Sequence, residues 1–140
     1  MAEEVFDNPT DWVAKHIRRY VESDGEKGHR AYGHDSLLLT TRGNRSGRLR
    51  RTALWYLRDG ERYLLAGSDA DPAWVRNVRA NPAVVVQIRG DTFAALARVA
   101  SAAERAAVWE RMTADIPKYA GYQERSRREL PVVVVEPLSP

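Results

Sequence analysis

The sequence predicts an α+β fold in which an antiparallel, barrel-like sheet carries helices, and three observations predict it. About six short apolar runs are bounded by turn signals, as strands are. About three stretches carry helical spacing instead. Two of the strand pairs meet at tight hairpin turns, and no regular strand–helix–strand alternation follows, which favours this arrangement over a doubly wound sheet. The 140 residues suit one domain, 1–140, able to bury roughly 68–70% of the surface the unfolded chain exposes. With 44% apolar and 29% charged residues, 9 Gly and 7 Pro, the composition is that of a globular chain.

In chain order, Asn8-Pro9-Thr10-Asp11 reads as a helix start, Asn8 as cap and Pro9 at the first helical position. Val13, Ile17, Tyr20 and Val21 then predict a helix over about 9–23 with one face on the core. The following stretch to Asp35 has no clear period and reads as a loop. Residues 36–41, SLLLTT, read as a strand. Thr52 to Arg58 and Arg62 to Ala66 flank Asp59-Gly60 as a hairpin. Asp71-Pro72 opens a short helix that Asn81-Pro82 closes. Val84 to Ile88 and Thr92 to Ala100 pair across Arg89-Gly90-Asp91. Ser101 and Glu104 form a capping box ahead of a helix through about Ile116, and Val132 to Val135 form a buried final strand.

No run approaches the roughly 18 apolar residues of a membrane span, and the start is acidic where an export signal is basic and then apolar. A cytoplasmic protein without an integral membrane segment is expected, peripheral contact being left open. The absence of Cys removes disulfides, thiolate metal sites and cysteine nucleophiles, and suits a reducing compartment. His16, His29 and His34 have no ligand spacing, so no metal is expected and they read as surface or loop histidines. Ser46, Ser68 and Ser126 lack a nucleophile elbow.

The net charge of +3 conceals an uneven distribution. Residues 1–41 carry 5 basic and 8 acidic side chains, whereas residues 42–51 carry 5 Arg and no acid. A dense basic cluster in one loop points to a small anionic ligand more than to nucleic acid, which takes a broad basic face. In RGNRSGRLR, glycines let backbone N–H groups converge and arginines can grip phosphate or carboxylate with paired bonds. Trp55, Trp74 and Trp109 read as core in isolation. Tyr119 and Tyr122, in KYAGYQ, either line a pocket as proton donors or pack against the sheet.

Four stretches in order, LLLTTRGNRSGRLRRTALWYLRDG, LLAGSDADPAWVRNVRANPAVVVQI, AERAAVWERM and IPKYAGYQERSRRELPVVVVEP, cover about residues 36–137. Together they resemble the deazaflavin-dependent nitroreductase family, and NPTDWVAKHIRRYVESDGEKG resembles the helix preceding the barrel in some members. The resemblance implies an antiparallel split β-barrel of the FMN-binding type over about 36–137, with an N-terminal helix and two further helices. It implies coenzyme F420, an 8-hydroxy-5-deazaflavin, as cofactor. Hydride would pass to a small electron-poor acceptor: a quinone, an enone or a nitroaromatic.

By the same resemblance Arg45, Ser46, Gly47 and Arg50 bind the cofactor's phosphate and acidic tail, and Thr52 and Leu54 line the path to its ring. Ala66, Gly67 and Ser68 lie beside the ring, with Trp74 and Asn77 closing the pocket. Tyr119, Tyr122 and Ser68 are the candidates for proton supply. Asn44 stands where many members have a basic residue, Leu49 and Ala53 where Pro is common, and residues 69–71 replace a longer Gly-rich stretch. The alternative is a non-catalytic cofactor- or lipid-binding barrel protein. A monomer or a homodimer is expected, without a nucleic-acid partner.

Overall fold

The computed structural model describes residues 3–138. In chain order they form β1 (Val5–Asp7), α1 (Asp11–Glu22), β2 (Arg30–Ala31), β3 (His34–Arg42), β4 (Leu49–Trp55), β5 (Leu57–Asp59) and β6 (Arg62–Ala66). Then come α2 (Ala73–Ala80), β7 (Ala83–Ile88), β8 (Asp91–Val99), α3 (Ala102–Asp115), α4 (Lys118–Glu124) and β9 (Val132–Pro137). The α+β class stands, with more pieces than expected. β1 and β2 are too short to show alternation, a bend at Tyr56 divides one expected strand into β4 and β5, and residues 118–124 add a fourth helix.

The strands form one sheet in the order β1-β4-β3-β7-β8-β9-β6-β5, with β2 paired to β3 beside this path. Pairing is antiparallel except for β1 along β4. The hydrogen-bonded order is open, not a closed ring. Yet β4, near one end of the order, is joined to β5, at the other end, through Tyr56 alone. A residue spans at most about 3.6 Å, so the sheet has to curl until its ends approach. Tyr56 N–H donates to Asp35 O at 3.2 Å and its ring meets Tyr63 edge-on at 5.6 Å, which holds the bend.

Curling gives the sheet two buried faces, and alternation along the strands sorts the residues between them. Leu37, Leu39, Leu65, Val86, Ala97, Val133 and Val135 face one core, which Val75 and Val78 of α2 plug. Leu64, Ala66, Val132 and Val134 face the opposite way, under α3 and α4, packing on Met112, Ile116 and Tyr119. Leu38, between Leu37 and Leu39, packs under Val13, Ile17 and Tyr20 of α1. This explains why residues 132–135 form an unbroken Val run: helices cover the outer face while the sheet interior covers the other.

Helix starts differ from expectation. α1 begins after Thr10, and Asn8 instead accepts the Thr10 N–H through its side chain at 3.0 Å, a local turn that competes with capping. Likewise Pro72, not Asp71, precedes α2. The Ser101–Glu104 capping box forms as expected, and hydrogen bonding from Arg98 holds the Glu104 carboxyl down at about 2. Among the histidines, His29 is buried rather than superficial. Its Nε2 lies 3.0 Å from the Tyr56 hydroxyl, its Nδ1 has no hydrogen-bond partner among the described residues, and burial lowers its pKa. The same burial pushes the Tyr56 phenol up to about 12.

Tyr20 ties α1 to the sheet. Its fully buried hydroxyl accepts the Arg89 N–H at 2.8 Å and donates to Ser36 O at 3.0 Å, bridging β3 and the β7–β8 turn. Tyr20→Phe strands both groups, so it should lower unfolding free energy by about 1–3 kcal/mol in denaturant titration. A loss under about 0.5 kcal/mol, below the range for a stranded buried group, would contradict this role.

Candidate functional site

The Arg-rich loop between β3 and β4 is stitched by its own backbone. Gly43 N–H donates to Arg48 O at 2.7 Å, Gly47 N–H donates to Gly43 O at 2.9 Å, and the Ser46 hydroxyl accepts the Arg48 N–H at 3.1 Å. Gly47 sits at φ +71, where a side chain would strain the backbone, so the tight return requires glycine there. The loop is anchored from below by Asn77 of α2, whose buried amide accepts the Asn44 N–H at 2.9 Å and donates to the Thr41 hydroxyl at 3.0 Å. Asn44, where a basic residue is common in the resembled family, therefore contributes its backbone to this anchor.

Two of the five arginines are consumed structurally. Arg42 pairs with Glu3 at 2.7 Å and depresses its carboxyl, while Arg51 pairs with Asp7 of β1 at 2.6 Å. The dense positive charge inferred from residues 42–51 is thus partly neutralised by acids that sequence distance had concealed. Arg45, Arg48 and Arg50 have no ion-pair partner among the described residues, and Arg48 and Arg50 lie over the Phe6 ring at 5.1 and 5.8 Å.

A cleft of about 810 Å³ opens between this loop, β4, the first turns of α1 and α2, and β1. Arg45, Ser46, Arg50, Thr52, Leu54, Ser68, Trp74 and Asn77 line it, so eight of the expected residues converge. Gly47, Ala66 and Gly67 do not line it. Ala66 faces the α3–α4 side, and Gly67 is pressed against Pro131, where an added Cβ would come within 3.0 Å of the ring. Ala66 ends β6 and Gly67 follows it, directly before Ser68, whereas Gly47 belongs to the loop between β3 and β4. The first turn of α2 also faces the cleft. Val75 and Arg76 N–H both donate to Pro72 O, while the Ala73 and Trp74 N–H groups have no partner among the described residues, as is usual in a helix's first turn.

Sequence reasoning missed the near wall. Phe6, Asn8 and Trp12 line the cleft, and Trp12 is 61% exposed. The signal was present: Trp12 falls one residue before the Val13–Ile17–Tyr20 stripe, so it cannot share the core-facing side of α1. The cleft therefore has two indoles, Trp12 and Trp74, near guanidinium groups that lack carboxylates, a donor set that fits a flat ring bearing an acidic chain.

Ser68 and Asp69 also border a second cavity of about 350 Å³, on whose wall Tyr122 lies. Tyr119 lines neither cavity. It is 3% exposed, in ring contact with Trp55 and stacked on Trp109, and burial pushes its phenol far above the ordinary range. Trp55 and Trp109 are core-side residues as expected, while Trp74 both touches the inner core and lines the cleft. Among the described residues no cluster of three metal-binding side chains occurs, and no helix is long and apolar enough to cross a membrane.

Comparison with known proteins gives a consistent set. Residues 12–137 match the family model described as F420H(2)-dependent quinone reductase. A relative of that name from Mycobacterium tuberculosis is 34% identical over 141 residues, covering 89% of this chain and 95% of its own. A solved structure described as a domain-swapped dimer is 33% identical with a TM-score of 0.67, covering 92% of this chain and 100% of its own. An F420-H2 dependent reductase is 34% identical with a TM-score of 0.64, over 72% of this chain and 93% of its own.

The Asn77 anchor yields a prediction independent of any ligand. Asn77→Ala should speed hydrogen exchange at the Asn44 amide roughly 5- to 150-fold, the equivalent of losing about 1–3 kcal/mol of protection. Exchange in the β7–β8 turn should change less. Unaltered exchange at Asn44 would mean the loop holds its shape without α2.

Proposed function

The chain belongs to the F420H(2)-dependent quinone reductase family, and on that premise we propose which of its residues carry the reaction. It is an oxidoreductase that transfers hydride from reduced coenzyme F420 to a quinone. The observation that carries the residue assignment is the cleft itself, where Arg45 and Arg50 lack carboxylate partners among the described residues and share the lining with two indoles. When bound, the deazaflavin supplies hydride, because carbon in place of the flavin nitrogen favours two-electron transfer.

Arg45 and Arg50, with the Ser46 hydroxyl and the free N–H groups of α2, hold the phosphate and acidic tail. Thr52, Leu54 and Trp74 bound the ring, Asn77 keeps the loop in register, and Gly47, Ala66 and Gly67 act through backbone shape. Ser68 stands where the two cavities meet, so the acceptor lies on the Tyr122 side. Reduction leaves negative charge on the acceptor oxygen, and the Tyr122 phenol donates the proton or hydrogen bond that stabilises it. Tyr119 is a positioning residue: wedged among indoles, it fixes α4 and hence Tyr122. Enones and nitroaromatics suit the same chemistry as further acceptors.

The curl imposed at Tyr56 supports reading the sheet as a split β-barrel of the FMN-binding type. A homodimer is the proposed assembly, in line with the similar structure described as a domain-swapped dimer. A cytoplasmic location accords with a chain that lacks cysteine. Membership of a reductase family does not favour the non-catalytic, lipid- or cofactor-carrying alternative.

Two substitutions separate the roles. Arg50→Ala should weaken F420 binding by about 1.5–3 kcal/mol, less at high salt. Tyr122→Phe keeps the ring and should leave that affinity unchanged while slowing single-turnover oxidation of the reduced cofactor about 10²–10⁴-fold. Arg50→Ala binding as tightly as wild type, or Tyr122→Phe reacting at the wild-type rate, would remove the corresponding assignment.

A further inference from the structure

The cavity beside Tyr122 carries positive charge to which the proposed cofactor assignment gives no role. Beyond Ser68 and Asp69, its wall includes Tyr122, Arg125, Arg127 and Arg128. These arginines sit on the return from α4 to β9, a segment braced by Gln123. The Gln123 amide donates to Arg128 O at 3.0 Å and accepts the Leu130 N–H at 2.8 Å, while the Ser126 hydroxyl donates to Arg128 O at 2.7 Å. None of the three arginines has an ion-pair partner among the described residues; Glu129, on the same segment, is taken by Arg105 at 3.3 Å. The Arg125 guanidinium lies over the Tyr122 ring at 5.4 Å. The one carboxylate on the cavity wall, Asp69, is engaged locally, accepting the Asp71 N–H at 3.0 Å.

We propose that Arg125 and Arg127 select acceptors that carry a carboxylate or similar anionic substituent beside the electron-poor ring. The inference rests on the reading that the Tyr122 side receives the acceptor. A single exposed ion pair is worth little, but three cations converging on one concave wall against one carboxylate create a field that steers and retains an anion. The stacking of Arg125 on Tyr122 sets a cation next to the phenol assigned to the reacting oxygen, so an acidic substituent at that end of the acceptor turns its reducible oxygen toward Tyr122.

The test compares a naphthoquinone bearing a short carboxyalkyl chain with its methyl ester, which keeps the ring and removes the charge. With wild-type protein and reduced F420, kcat/KM for the acid should exceed that for the ester about five- to tenfold at low salt, the gap closing at high salt. In the Arg125→Gln/Arg127→Gln variant the acid-to-ester ratio of kcat/KM should fall to about one through a rise in the acid's KM, with F420 affinity unchanged. Binding of each quinone is also read without cofactor, by quenching of tryptophan fluorescence. Equal kcat/KM and equal binding for acid and ester in the wild type would overturn the proposal, and this comparison needs no variant to fold. An intact acid preference in the variant with weakened F420 binding would also overturn it, assigning these arginines to the cofactor's acidic tail. If reduced F420 is not consumed by any acceptor while the acid still binds more tightly than the ester, the anion selectivity stands and the cofactor reading falls.

Discussion

The constraint on which this molecule depends is the single-residue link at Tyr56. It joins β4 to β5, which stand near opposite ends of the hydrogen-bonded strand order, and so forces a nine-stranded sheet to curl. Curling is what gives alternate residues of the same strand two different apolar environments. Leu37 and Leu39 go inward with α2 as plug, while Leu38 goes outward beneath α1. The helices follow from this, since an outer apolar face left bare would be unstable in water. The cleft lies where the loop before β4 and the starts of α1 and α2 meet over the curl.

Charge in the cleft is arranged by contacts between distant parts of the sequence. β1 runs parallel to β4 and brings Asp7 to Arg51 and Glu3 to Arg42, so those pairs hold the edge of the sheet. Arg45 and Arg50 are left facing the cleft. On the opposite side of Ser68, residues 125–128 supply a second group of cations over a different cavity. Ser68 and Asp69 are the shared boundary of the two cavities, and the proposed assignment puts the cofactor on one side of them and the acceptor on the other.

Much of this was legible in the sequence, for identifiable reasons. The hairpins at residues 59–62 and 88–91, the Ser101–Glu104 box and the final Val run carry local signals that tertiary packing did not override. The order of motifs located the basic loop, and eight of the named residues do line one cleft. What was not legible depends on long-range pairing. Three-residue β1 has no periodicity of its own, so neither its ion pairs nor the place of Phe6 in the cleft wall followed from spacing. Tyr119 and Tyr122 have the same side-chain chemistry three residues apart, but only the packed structure shows Tyr119 sealed between indoles and Tyr122 at a cavity. His29 looked like a loop residue because the loop's return against Tyr56 is a tertiary event.

The central claim is that the cleft is built for a flat ring with a long acidic chain, held by Arg45 and Arg50. Parallel equilibrium titrations of the full chain with oxidised F420 and with FMN test it most directly, because both carry a flat tricyclic ring on a phosphate-bearing chain but only F420 extends an acidic tail beyond the phosphate. Tighter binding of F420, with an advantage that shrinks as salt rises, is the result the account predicts. FMN binding as tightly as F420 or tighter would contradict it.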